Sequence, residues 1–301
     1  MKRTLIFITI LLASIVGANG AAQKSTINLT LGESVVNVNV YENAGASITF
    51  FSPHHNEQAA RSLAKEYVER NGGRVVEIES FDDKGNAARY LKFTFKGKTY
   101  TIDPNRIFTD NGRACGTAVE INETVKAFAE SLLKIIFDAS GKDLRDGERF
   151  VVAVHNNTDV DSKTEDAKSN DLTAVAFVRG NGSLALTHGA FEEQADGVFL
   201  SNTEMDADNF IFLSTPLYIG HFAEKGFNVV VQKSAPKLAS KQCTVDDGSM
   251  SVYSALNTIP YICLEADGVY GAYRQRQMFE AVYKLLPEQK SIEQTTVAAA
   301  K

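Results

Sequence analysis

Ile48-Thr49-Phe50-Phe51-Ser52-Pro53-His54-His55-Asn56-Glu57 is the stretch from which the rest of the chain can be read. It opens as a run of β-branched and aromatic residues, the composition of a buried strand. Pro53 breaks the run, and two histidines and a carboxylate follow before a helical pattern begins. His54 and Glu57 are close enough in the chain for an imidazole nitrogen and a carboxylate to share one cation. Zinc suits such a pair, because it takes nitrogen and oxygen ligands at about 2.0–2.2 Å and keeps a position open when catalytic. His-x-x-Glu is also short enough to arise by chance. The plain alternative makes His54 and His55 turn residues and Glu57 a first-turn carboxylate that complements a helix dipole.

Working outward, residues 26–31 and 36–40 alternate in polarity and read as strands ahead of 48–52. Beyond Glu57 the period changes. Ala59, Ala60, Leu63, Ala64, Tyr67 and Val68 recur at helical spacing until Asn71-Gly72-Gly73 stops them. A short strand over 74–78 follows, then runs at 90–95 and 99–102 around Lys96-Gly97-Lys98, the pattern of a hairpin. In 117–139 the residues Val119, Val125, Phe128, Ala129, Leu132, Leu133, Ile136 and Phe137 form one apolar helical face. Further strands are expected at 149–155, 228–232 and 258–265, short apolar runs lie at 175–178 and 210–213, and helices are expected over 216–226 and 272–286, with a short one opening at Gly248-Ser249. Charged stretches at 141–147, 159–171 and 204–208 read as surface loops. The fold class this order predicts is α/β: a single domain whose mixed, mostly parallel twisted sheet is flanked by helices.

A chain of 301 residues with 44% hydrophobic content can fill the core of one large domain. The net charge of −6 and the lack of an extended basic run exclude nucleic acid as an expected partner. Residues 1–20 carry Lys2 and Arg3, then an apolar run over 5–16, then Ala18-Asn19-Gly20, the layout of a signal peptide. The apolar run is short for a membrane span, so cleavage before Ala21 is expected in place of a stable anchor. The expected division is a signal peptide at 1–20, an α/β domain at 21–287 and a polar tail at 288–301, with a secreted or periplasmic location. Of the three cysteines, Cys243 and Cys263 flank a turn-rich segment and could pair; Cys263 fits a buried free thiol equally well.

Three later segments bear on the opening motif. Asp103-Pro104-Asn105-Arg106 leaves the hairpin, and Pro104 places its polar residues at a strand end. Val151-Val152-Ala153-Val154-His155 ends an apolar strand on a histidine, and Tyr261-Ile262-Cys263-Leu264-Glu265 ends another on a carboxylate. An acid closing such a strand is costly unless it faces water or a cation. Taken in order, these islands resemble the zinc carboxypeptidase family of metallopeptidases. The resemblance implies one zinc per chain on His54, Glu57 and His155. It implies Asp103 as the partner orienting an imidazole ligand and Asn105 with Arg106 as holders of a substrate carboxylate. Glu265 would be the general base, and Arg89, upstream of Asp103, would assist an oxyanion. Tyr253 and Tyr270 are both candidates for a substrate-contacting tyrosine.

The implied activity is hydrolysis of a peptide or small amide that carries a free carboxylate, by a metal-activated water and a glutamate base. Two other readings use the same residues: an amidase or deacylase acting on small N-acyl amino acids, and a binding protein on a peptidase scaffold. His188 and His221 have no second ligand at metal spacing.

Overall fold

The computed structural model describes residues 22–137, 150–157, 195–199, 201–202, 209–238, 243, 245–268 and 271–299. The expected leader at 1–20, the loops at 141–147, 159–171 and 204–208, the run 175–178, His188 and Tyr270 lie outside the described residues.

Alternating residues in the first third build β1 (Gln23–Leu31) and β2 (Ser34–Asn43), and the decisive apolar run forms β3 (Ile48–Ser52), all five residues buried. Helix α1 (Gln58–Asn71) follows and buries Ala60, Leu63, Ala64, Tyr67 and Val68. It ends at Gly72, whose φ of +80° and close approach to Ala44 O leave no room for a Cβ. Next come β4 (Gly73–Ile78) and the hairpin β5 (Leu91–Phe95) and β6 (Lys98–Ile102). The hairpin forms a two-stranded sheet of its own.

The expected helix at 117–139 is shorter and has a different neighbour. Helix α2 (Asp110–Gly116), not anticipated, is capped by the Thr109 side chain accepting from Gly112 N. A 3-10 turn (Val119–Ile121) leaves Val119 90% exposed, and α3 (Asn122–Ile136) buries Val125, Phe128, Ala129, Leu132 and Ile136. The later elements are β7 (Phe150–Asn157), β8 (Ala195–Phe199), β9 (Phe210–Leu213), α4 (Ile219–Ala223) and β10 (Val229–Gln232). After them come α5 (Ala235–Leu238), α6 (Met250–Leu256), β11 (Tyr261–Asp267) and α7 (Ala272–Ala299). Helix α7 continues past the expected end at 286, because residues 288–299 are rich in good helix formers.

Among the described residues nine strands form one sheet, in the order β1-β2-β4-β3-β7-β11-β9-β10-β8. The centre is parallel: β4 with β3, β3 with β7, β7 with β11. Antiparallel pairs flank it, β1-β2-β4 on one side and β11-β9 on the other. Strand alternation splits the core into two layers. Val151, Ala153, Tyr261 and Cys263 face one layer, with α3 and the hairpin. Val152, Val154, Ile262 and Leu264 face the other, with α1 and α7.

The cysteines pair differently from the expected possibility. Cys115 in α2 is bonded to Cys243, with Cα atoms 5.7 Å apart, while Cys263 is buried and free. Cys263 points into the core from β11, so Cys243 meets the unanticipated helix α2 instead.

Candidate metal centre

The parallel strands β3, β7 and β11 all deliver their carboxyl ends to one edge of the sheet, the edge where open α/β sheets place ligands. Period-two alternation does the rest. His155 continues the Val151–Ala153 face of β7, and Glu265 continues the Tyr261–Cys263 face of β11. The two are register partners across the parallel pair, so they stand side by side. His54 and Glu57 enter from the turn that follows β3.

The first group is tight. His54 Nδ1 lies 2.7 Å from Glu57 Oε1, and His155 Nδ1 lies 3.1 Å from Glu57 Oε2. The imidazole centroids of His54 and His155 are 5.1 Å apart. One ligand atom from each of the three residues falls within 4.8 Å of the others, and all three residues are buried. Glu57 sets one carboxylate oxygen against each ring, Oε1 on His54 and Oε2 on His155, and the buried Oε2 has no hydrogen bond of good geometry among the described residues. Two imidazole nitrogens and a buried carboxylate converging within 4.8 Å fit a divalent cation.

Around this group stand two further predicted residues. Asp103 Oδ1 lies 2.9 Å from His54 Nε2 and so orients that ring with Nδ1 facing Glu57. Arg89 donates to Glu57 Oε1 at 3.2 Å and sits 3.6 Å from Asp103 Oδ2. Burial alone would lower the His54 pKa, but Glu57 and Asp103 overcome it and raise it to about 9. Burial would push the Glu57 carboxyl up; His54 and His155 override that and hold it well below the usual range. Asp103 behaves the same way through His54, Arg106 and Arg89. In this state a proton on His54 stands where a cation could stand.

Glu265 is the second wall of the site. Burial pushes its carboxyl up, His155 pulls it down, and the nearby Glu57 carboxylate raises it again; the net direction is up. Cys263 Sγ lies 3.2 Å from Glu265 Oε1, a thiol donor that sequence reading did not connect to the acid. His155, Cys263 and Glu265 form a second group whose ligand atoms lie within 4.8 Å of one another.

The substrate-side residues are placed less directly. Arg106 Nη1 donates to Asn105 O at 3.0 Å and meets Asp247 Oδ2 at 3.4 Å, with 40% of its side chain exposed. The same guanidinium feels the carboxylates of Asp247, Asp103 and Glu265. Asn105 Oδ1 accepts from Met250 N at 3.2 Å, which commits that oxygen to the start of α6. Gly248, with φ +78°, lets this segment close on Arg106, where a Cβ would stand 2.5 Å from Arg106 O. Tyr253 packs its ring against Phe108 and Phe137.

The other histidines are engaged elsewhere. His55 Nδ1 is 2.6 Å from Ser80 O, and His221 Nε2 is 2.8 Å from Ala281 O. Sequence reading missed Asp247, Asn156 and Gln275. The last had a usable signal: Gln275, Met278, Phe279 and Val282 share one helical face, so a polar residue sits on an apolar stripe.

Fold and site together define an α/β protein with a buried His-Glu-His cluster able to hold a metal ion. No family model matches the chain, and no curated protein matches it. Three solved structures, each named a "putative metallopeptidase", are similar over most of their length. The one from Shewanella baltica OS155 is 12% identical, covers 87% of this chain and 85% of that chain, with a TM-score of 0.34. The one from Shewanella denitrificans OS217 is 14% identical over 86% and 82%, TM-score 0.36. The one from Shewanella amazonensis SB2B is 11% identical over 85% and 83%, TM-score 0.30. At that level the likeness carries no argument, and the chemistry rests on this chain's own atoms.

Proposed function

We propose that this chain is an exported zinc-dependent amide or peptide hydrolase of carboxypeptidase type. The observation that supports it most is the buried convergence of two imidazole nitrogens on the Glu57 carboxylate, with the Glu265 carboxyl on the neighbouring strand. His54 Nδ1, Glu57 and His155 Nδ1 would hold the ion, and their nitrogen and oxygen donors suit zinc. A zinc ion there would supply Lewis acidity toward a carbonyl oxygen and lower the pKa of water.

The chain's residues supply the remainder. Asp103 fixes His54 through Nε2. Glu265, its carboxyl pKa pushed up by burial, accepts a proton from the attacking water and returns it to the leaving amine. Arg89, charged and held against Glu57 and Asp103, faces developing negative charge on the scissile oxygen. Arg106 reads a free carboxylate on the substrate, exchanging its 3.4 Å contact with Asp247 for a forked pair. Export is supported by the Cys115–Cys243 bridge, which belongs to an oxidising compartment, and by the leader-like composition of residues 1–20. Among the described residues no helix is long and apolar enough to cross a membrane. Peptides of the cell wall are a nearby pool of substrates for such an enzyme.

The test compares one peptide with its carboxyl-amidated twin on kcat/KM. The free acid is cut faster by an amount on the order of 2–5 kcal/mol, the scale of an unpaired buried charge. Arg106→Ala slows the free acid and erases most of the difference, and Arg106→Lys restores part of it. Equal rates on acid and amide would remove the exopeptidase reading.

A further inference from the structure

Glu57 occupies the N-cap position of α1, where a side-chain oxygen commonly accepts from a free helix amide. It makes no such bond, because its carboxylate is turned to the histidines. The missing cap comes from another strand. Asn156, the residue after His155, accepts from Ala60 N with Oδ1 at 2.8 Å, and Ala60 is the third residue of that helix. Its Nδ2 donates to Gln275 Oε1 at 3.3 Å. Gln275 is wholly buried, and its Nε2 donates to the backbone carbonyl of His155 at 2.9 Å. The backbone of Gln275 is anchored as well: its N–H bonds Gly271 O, and Gly271 N bonds Asp267 O at the end of β11.

The geometry points to Asn156 and Gln275 as a positioning pair that sets the distance between Glu57 and His155 and thereby tunes metal affinity. The pair connects the helix start behind Glu57, the strand end carrying His155, and the start of α7 that springs from the strand carrying Glu265. Its hydrogen bonds go to a helix amide, to each other and to the His155 backbone carbonyl. Each amide has both ends used, so neither can turn over without breaking a bond at the other end. This inference rests on the metal reading proposed above.

The experiment measures zinc Kd on the full chain by competition with a chelator, beside the Tm of the metal-free protein. Gln275→Met keeps the volume and removes both polar atoms; Asn156→Ala removes the cap and the link. Each weakens zinc about 10–100-fold, the usual scale for groups that orient a ligand from outside. The double variant is no weaker than the worse single one, because the two act as a unit. Asn43→Ala is the control. Asn43 braces the opposite end of the same helix by donating to Val68 O and Glu69 O, so its loss lowers Tm while zinc Kd stays within about twofold. Should Gln275→Met fail to fold, Asn156→Ala at its half-buried strand end decides the matter alone.

Folded variants with wild-type zinc affinity would overturn the pairing, as would an equal loss in Asn43→Ala. A wild type that binds zinc no better than His54→Ala would instead sink the metal reading itself.

Discussion

Two buried glutamates near the start of α1 carry the same charge and face opposite uses. Glu57 is 4% exposed and meets two imidazoles and the outer edge of Arg89; Glu77, on β4, is 1% exposed and meets Arg61 at 3.1 Å and Lys65 at 2.9 Å. Burial pushes the Glu77 carboxyl up, and Arg61 and Lys65 pull it below its ordinary value. Arg61 and Lys65 offer only N–H donors to it, so the cluster is a fixed brace between helix and sheet. The imidazole nitrogens of the Glu57 cluster can instead serve as ligands to a metal ion. The difference lies in the exchangeability of the partner, not in burial or in net charge.

The largest effect that separates them is on stability. Glu77→Gln leaves Arg61 and Lys65 facing a neutral amide and costs about 3 kcal/mol, low in the range for breaking a buried pair because Lys65 reaches solvent. Denaturant unfolding measures it, and zinc content per folded chain stays unchanged. A loss of zinc in this variant would mean that the brace and the metal centre are one unit.

Next comes the chemistry. Glu265→Gln keeps fold and metal and lowers kcat at least about a hundredfold, since the amide cannot accept a proton. A fully active variant would make Glu265 a structural acid; a variant without zinc would make it a ligand.

The last effect is the dependence on pH, and it has opposite signs in the two regions. Glu77 has a depressed folded pKa, so its contribution is present above the unfolded value and is lost as pH falls through the folded one. His54 has a raised folded pKa of about 9 in the metal-free protein. Its contribution is complete below the unfolded value near 6.5 and is lost as pH rises toward 9. In excess chelator the Tm therefore falls by several degrees over that alkaline window, and His54→Ala abolishes the fall. Zinc must displace the same proton, so zinc affinity strengthens by up to about tenfold per pH unit up to 9. A flat profile in both measurements would show that His54 carries no exchangeable proton.

The two regions were also unequally legible in the sequence. The ligand end of the sheet could be read because strand alternation is local: Val151, Ala153 and His155 share a face whatever else the chain does, as do Tyr261, Cys263 and Glu265. The break at Pro53 and the glycines after Asn71 fixed the ends of β3 and α1 to within a residue or two. Contacts across distant parts of the chain left no such trace. Helix α2 is stabilised by Thr109 and tied to Cys243, 128 residues from its bonded partner, and nothing in its own polar residues has helical period. Val119 continues the apolar stripe of α3 in the sequence yet lies on a 3-10 turn outside it, because the two periods differ. The Asn156–Gln275 link spans 119 residues, and only the polar residue on the apolar stripe of α7 hinted at it.

The most direct measurement is metal analysis of the purified full chain beside its Glu57→Gln and His155→Ala variants. The account predicts about one zinc per wild-type chain and almost none in either folded variant, since an open catalytic site needs all three protein ligands. Full zinc retained in His155→Ala, or lost equally in His221→Ala, would contradict it.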